Sequence, residues 1–101
     1  MAATPKRLYK GTAGTTSSTA YTVPANTTTI VKNIVLTNKT GSAATATITI
    51  AGIEIVNNYS VNANDTVVID LSLVMQAAET ITVLSGTASA INIYISGLEG
   101  A

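Results

Sequence analysis

Chemistry in this chain would have to come from five carboxylates, Glu54, Asp65, Asp70, Glu79 and Glu99, because it contains neither His nor Cys. The commonest general base, the imidazole metal ligands and the thiolate nucleophile are therefore missing. Two carboxylates could still serve as acid and base, but Asp65 and Glu79 stand at equivalent corner positions, where a carboxylate accepts hydrogen bonds from nearby backbone N–H groups. A sugar-cleaving site would also want Trp for stacking, and there is none. No catalytic residue and no cofactor is expected. Asn62, Asn64 and Asp65 offer hard oxygen donors within one turn, but calcium takes about six to eight oxygens. Asn-Ala-Asn-Asp is equally what a tight turn wants, so the turn is preferred and no metal is expected. Gly11 and Gly14 open no helix and lack a following Gly-Lys-Ser/Thr, so they cradle no phosphate. Asn-x-Ser/Thr sequons occur at Asn26, Asn38, Asn58 and Asn64. A chain rich in Asn and Thr produces them by composition, and without a signal peptide they are not expected to carry glycans.

Composition narrows the classes further. The 101 residues form one domain with room for one core. They are 47% hydrophobic and 10% charged, against a usual charged share of about 25%. Five Lys/Arg balance five Asp/Glu, and the four Tyr are accompanied by no Phe or Trp. The basic, aromatic-studded face of a nucleic-acid binder is not expected. No apolar run approaches the roughly 18 residues of a membrane helix. The opening Met1-Ala2-Ala3-Thr4-Pro5-Lys6-Arg7 leads into polar sequence with no signal-peptide core, so synthesis in a cytoplasm and no membrane partner are expected. Low charge, a mean hydropathy of +0.41 and many β-formers suit a lone monomer poorly, since exposed strand edges are normally guarded by Lys, Glu or Pro. A homo-oligomer or a lattice-bound subunit is expected.

The elements that position these residues announce themselves by repetition. Tyr21-Thr22-Val23-Pro24-Ala25-Asn26-Thr27-Thr28 returns as Tyr59-Ser60-Val61-Asn62-Ala63-Asn64-Asp65-Thr66, an offset of 38 positions (59 − 21), with a shorter echo at Ala77-Ala78-Glu79-Thr80. Each copy turns a corner into an apolar, β-branched run. Thr28 to Asn38 reads as a central strand with Ile30, Ile34 and Leu36 on one face and Val31 and Val35 on the other. Ala44, Ala46, Ile48 and Ile50 alternate with Thr45, Thr47 and Thr49 in a half-buried strand. Ala51-Gly52 turns it into a hairpin partner at Ile53-Glu54-Ile55-Val56. Val67, Ile69, Leu71 and Leu73 line one face of the next strand, and Leu73 to Glu79 is an extended connection rather than a helical turn. Thr80 to Leu84, a turn at Ser85-Gly86-Thr87, and Ala88 to Ser96 with Ile91, Ile93 and Ile95 inward complete the chain. The fold class predicted is all-β, an antiparallel β-sandwich or jelly-roll-like barrel of about 7–8 short strands. Residues 1–20 are expected to form an N-terminal arm or first strand and a flexible loop, with residues 21–101 as the sandwich core.

Candidate contacts concentrate in that arm. Lys6, Arg7, Leu8, Tyr9 and Lys10 hold three of the five basic residues and one of the four Tyr, and could pair with a partner's acidic surface. Deleting residues 2–10 is expected to abolish such binding and to spare the β fold. Tyr21 and Tyr59 fill the same slot of the repeat and are expected to cap the core at strand ends.

The stretches Pro5-Lys6-Arg7-Leu8-Tyr9, Tyr21 to Thr27, Ile30 to Asn38, Gly41-Ser42-Ala43-Ala44-Thr45 and Ile93 to Glu99 together resemble small β-sandwich virion structural proteins of tailed bacteriophages. The likeness covers nearly the whole chain. It implies a non-enzymatic accessory subunit located in a virion, most simply a capsid decoration or cement protein that stabilises the particle through subunit contacts. Its partners would be the major capsid protein or tail and fibre proteins together with further copies of itself, a trimer suiting threefold positions on a shell. The alternative is a tail, neck or fibre/spike subunit, a fibre or spike being the one that would bind a host-surface glycan. The resemblance brings no catalytic residues.

Overall fold

Eight strands account for the regular structure of residues 3–100, the part of the chain that the computed structural model describes. They are β1 (Thr4–Thr12), β2 (Ser18–Thr22), β3 (Thr28–Asn38), β4 (Ala44–Ile50), β5 (Ile53–Val61), β6 (Thr66–Met75), β7 (Thr80–Ser85) and β8 (Ile91–Gly100), with no helix among the described residues. The antiparallel pairs nest: β1 with β8, β2 with β7, β3 with β6 and β4 with β5. Pairing of β3 with β8 and of β4 with β7 then closes two four-stranded sheets, ordered β1-β8-β3-β6 and β2-β7-β4-β5. This is the strand order of a jelly roll, a long antiparallel hairpin rolled up on itself. The two sheets form a sandwich and not a closed barrel, so β1, β6, β2 and β5 are left as edges.

The core is mainly aliphatic, with no aromatic among its fully buried side chains. Val31, Ile34 and Leu36 of β3, Ala46 and Ile48 of β4, Ile81 and Val83 of β7, and Ile91, Ile93 and Ile95 of β8 are buried between the sheets. Most are β-branched, which suits a pleated surface. The expected faces of β3 need one correction. Val31, Ile34 and Leu36 point inward, whereas Ile30 and Val35 are only half-buried. The pairing of β3 shifts register between Val31 and Asn33 against both neighbours. Lys32 reaches Ser72 and Asn33 reaches Asp70, both outside the sandwich. Two consecutive residues therefore face outward, and a bulge of this kind resets the alternation from Ile34 onward.

The repeated corner phrase has a structural counterpart. Asn26, Asn64 and Ala78 occupy equivalent positions in it, and all three have positive φ, at 57°, 55° and 72°. Asn tolerates that left-handed conformation better than most residues, because its side chain can bond the backbone locally. Asp65 accepts the Thr66 N–H at 2.9 Å and Glu79 accepts the Gln76 N–H at 2.7 Å, the corner role expected of both carboxylates. Ala51 (φ 53°) and Gly52 (φ 81°) form the tight hairpin turn between β4 and β5.

Residues 3–20 are laid into the sandwich as outer strands and do not extend from it. β1 pairs along the whole of β8, and β2 pairs with β7. Residues 1, 2 and 101 of the two expected segments lie outside the described residues. The last strand also starts later than expected, at Ile91, and runs on to Gly100.

Tyr21 clasps the two sheets together. From β2 its hydroxyl donates to Glu99 of β8 and lies 2.9 Å from the Thr29 hydroxyl of β3, while Lys6 of β1 sits 3.1 Å from the other Glu99 oxygen. The Tyr21 hydrogen bond, helped by the Lys6 ammonium, holds the Glu99 carboxyl below its ordinary value of 4.5. Burial, with the neighbouring carboxylate, pushes the Tyr21 phenol above its ordinary 10.0. The depressed Glu99 contributes stability that is fully present above about pH 4.5 and is lost as pH falls through its folded value. The raised Tyr21 contributes below about pH 10 and is lost as pH rises through its folded value. Tyr21→Phe is expected to destabilise by about 1–2 kcal/mol at pH 7, the scale of a hydrogen bond to a charged but partly exposed acceptor. In urea unfolding the deficit should shrink at pH 3; an equal deficit at both pH values would show that the carboxylate is not the group that matters.

Candidate functional site

Alternation along β8 sends Ile91, Ile93 and Ile95 into the core and Asn92, Tyr94 and Ser96 to the outer face of the first sheet. Antiparallel register then aligns that face into rows running from β1 through β8 and β3 to β6. One row is Lys10, Tyr94, Val35 and Val68. On one side of it lie Thr12, Asn92, Thr37 and Thr66, and on the other Arg7, Ser96, Asn33 and Asp70. The flanking rows are knit by side-chain bonds: Thr12 to Asn92 at 2.7 Å, Thr37 with Thr66 at 3.2 Å, and Asn33 donating to Asp70 at 3.1 Å. Such cross-strand pairs hold the surface in shape.

Tyr94, 43% exposed, stands as a ridge between two open grooves. The larger, about 450 Å³, runs past Lys10, Thr12, Val35, Thr37 and Asn92. The smaller, about 270 Å³, is bounded by Pro5, Lys6, Arg7 and Ser96. Neither groove has a carboxylate in its lining. The groups that face a visitor are an ammonium, a guanidinium, hydroxyls, an amide and an aromatic ring, which suit recognition of an acidic or hydroxylated surface.

The structure divides the five arm residues expected to make contacts. Lys6, Arg7 and Lys10 line the grooves, and Lys6 also pairs with Glu99. Leu8 is buried and joins the core, and half-buried Tyr9 packs against it over Gly11. The register shift between Arg7 and Tyr9 produces this split. Deletion of residues 2–10 would remove a strand and a core side chain, so point substitutions are the proper probe of contact here.

The remaining candidates are dispersed over the fold. Tyr21 bridges the sheets as a core-capping residue, but Tyr59 is exposed at the β5 edge. Asn38, the asparagine of one sequon, is fully buried, its side chain spent on internal hydrogen bonds. Among the described residues no group of three or more acidic side chains stands together as a metal site. Val35 and Val68, which complete the Tyr94 row, carried no sequence signal of their own, because their alignment depends on which strands pair.

No protein-family model and no curated protein matches this sequence. The surface itself therefore carries the functional reading.

Proposed function

We propose that this chain is a non-enzymatic structural subunit of a phage particle, a decoration or cement subunit that docks by the outer face of its β1-β8-β3-β6 sheet. The observation that supports this most directly is the convergence of Arg7, Lys10 and Tyr94 on one hydrogen-bonded face, with a groove on either side of Tyr94. A rigid aromatic between cations is the composition of an interface anchor, and cations at the rim steer docking onto an acidic partner. Many such contacts repeated over a shell multiply a small gain per subunit. The jelly-roll order is compatible with this role, though the same order also serves lectins and small-molecule binders, and fold alone does not assign function.

A second reading has its own support. The larger groove sets hydroxyls of Thr12 and Thr37 and the amide of Asn92 beside the Tyr94 ring, a pattern that would suit a glycan bound by a fibre or spike subunit.

The two readings separate in one comparison. Arg7→Glu with Lys10→Glu should lower occupancy on heads lacking this chain by at least about 30-fold, two rim charge reversals each worth on the order of 1 kcal/mol or more. Their outward positions predict an unchanged melting temperature. Unaltered occupancy would reject docking by this face. Specific, saturable binding on a glycan array, abolished by Tyr94→Ala and accompanied by no binding to heads, would transfer the assignment to glycan recognition.

A further inference from the structure

Four strand edges are open in this sandwich, and they are guarded unequally. β1 carries Pro5, Lys6, Arg7 and Lys10 and a register shift at Leu8. β2 is only 5 residues long. β5 is distorted by two register shifts against β4 and by Asn58 at φ 47°. These are the usual devices that keep one sheet from adding to another. β6 has neither the Pro and cations of β1 nor the shortness of β2, and its one irregularity is a register shift against β3 between Leu73 and Asp70. It runs for 10 residues from Thr66 to Met75 in unbroken alternation, with no Pro or Gly and one charge, Asp70. Its inward side chains from Val67 to Leu73 stay only half-buried, while Val68 and Val74 on the outer face are 58% and 59% exposed.

We propose that β6 pairs with β6 of a second copy, antiparallel across a two-fold axis at Leu71, joining two β1-β8-β3-β6 sheets into one of eight strands. The register follows from the residues. A two-fold pairing that keeps inward side chains inward must centre on a single residue. Centring on Asp70 would set two carboxylates opposite each other, which is destabilising. Centring on Ser72 would set Asp70 against the partner's Val74. Centring on Leu71 matches like with like: Ile69 meets the partner's Leu73, and exposed Val68 meets the partner's exposed Val74. It also sets the partner's Asp70 opposite Ser72, whose hydroxyl lies 3.4 Å from the Lys32 ammonium. Asp70 is bonded within its own chain through one carboxylate oxygen only. The other is left to meet Lys32 across the joint, twice by symmetry.

The joint would add roughly eight backbone hydrogen bonds, about one per paired residue. Val68 and Val74, 58% and 59% exposed, add apolar surface to the joint. The groove residues on β1 and β8 take no part in this pairing, which uses the far end of the same sheet.

Sedimentation equilibrium of the full chain tests the proposal. The wild type should be dimeric at micromolar concentration. The V68K/V74K variant, which sets Lys against Lys at both outer pairs, should weaken the dimer at least 100-fold and leave the far-ultraviolet spectrum and monomer fold intact, because both valines face solvent. The V68E/V74K variant should recover dimerisation, because each outer pair then opposes unlike charges. Leu71→Cys should oxidise to a covalent dimer in a chain with no other cysteine, and Leu73→Cys should not. A monomeric wild type, an oligomer indifferent to V68K/V74K, or failure of the V68E/V74K rescue would overturn the proposal.

Discussion

Asn38→Asp is expected to destabilise this protein by about 4 kcal/mol or more at pH 7, close to what Asn38→Ala removes although the shape hardly changes. Asn38 ends β3 and is fully buried. Its amide nitrogen donates to the Ser42 carbonyl at 2.8 Å and the Val61 carbonyl at 3.0 Å. Its amide oxygen accepts the Thr40 N–H at 2.9 Å and the Thr40 hydroxyl at 2.7 Å. All four bonding positions of the side chain are used. One residue thus fastens the end of β3, the turn after it and the end of β5, and its backbone N–H adds a bond to Asp65 in the next corner. A carboxylate there would confront two carbonyls with no proton to offer, in a site without water contact. Lowering the pH should protonate it and return one donor, so the gap between the variant and wild type should narrow in acid. Urea unfolding at pH 7 and pH 4 reads this directly. A deficit that does not change with pH would mean that lost packing outweighs the missing donors.

Gly97→Ala is expected to be as damaging for a steric reason. Gly97 lies in β8 between β1 and β3, paired with Lys6 on one side and Val31 on the other. A methyl group there would run into the Ile30 carbonyl oxygen, and would meet the Leu8 side chain at 3.2 Å. Backbone cannot rotate away as a side chain can, so β8 would have to part from β3 at the centre of the sheet. The expected loss is about 3 kcal/mol or more, at the upper end for overpacking. It should appear as a fall of roughly 10–20 °C in melting temperature for a domain of this size. Gly14→Ala, where a methyl group meets nothing within 4 Å, is the matched control and should change stability by less than about 0.5 kcal/mol. Equal effects at the two sites would show that chain entropy and not close approach explains Gly97.

Much of this architecture was readable in one dimension. The β4 and β5 hairpin was announced by alternating Ala/Ile and Thr followed by Ala51-Gly52, and the repeated corners by residues suited to positive φ. These features depend on neighbours along the chain, where backbone preference and period suffice. The faces of β3 were misread because Lys32 and Asn33 share the outer side, and a bulge arises between strands rather than within one. Leu8 was grouped with its basic neighbours for the same reason, since the irregularity that buries it belongs to its pairing with β8. Asn38 reads as a strand end and a sequon, and nothing local to it revealed that Val61 would need its amide.

Residue types and their order were enough to make this an all-β chain of seven or eight strands, to set its hairpin and its corners, and to show that imidazole and thiol chemistry are closed to it. Those conclusions rest on local conformational preference and on which functional groups exist at all. Tertiary structure alone decided that Lys10, Tyr94, Val35 and Val68 share a row and that β6 is an edge. Strand partners far apart in the chain are chosen by the packing of the whole core, so neither the rows nor the edges exist until the sheets have formed.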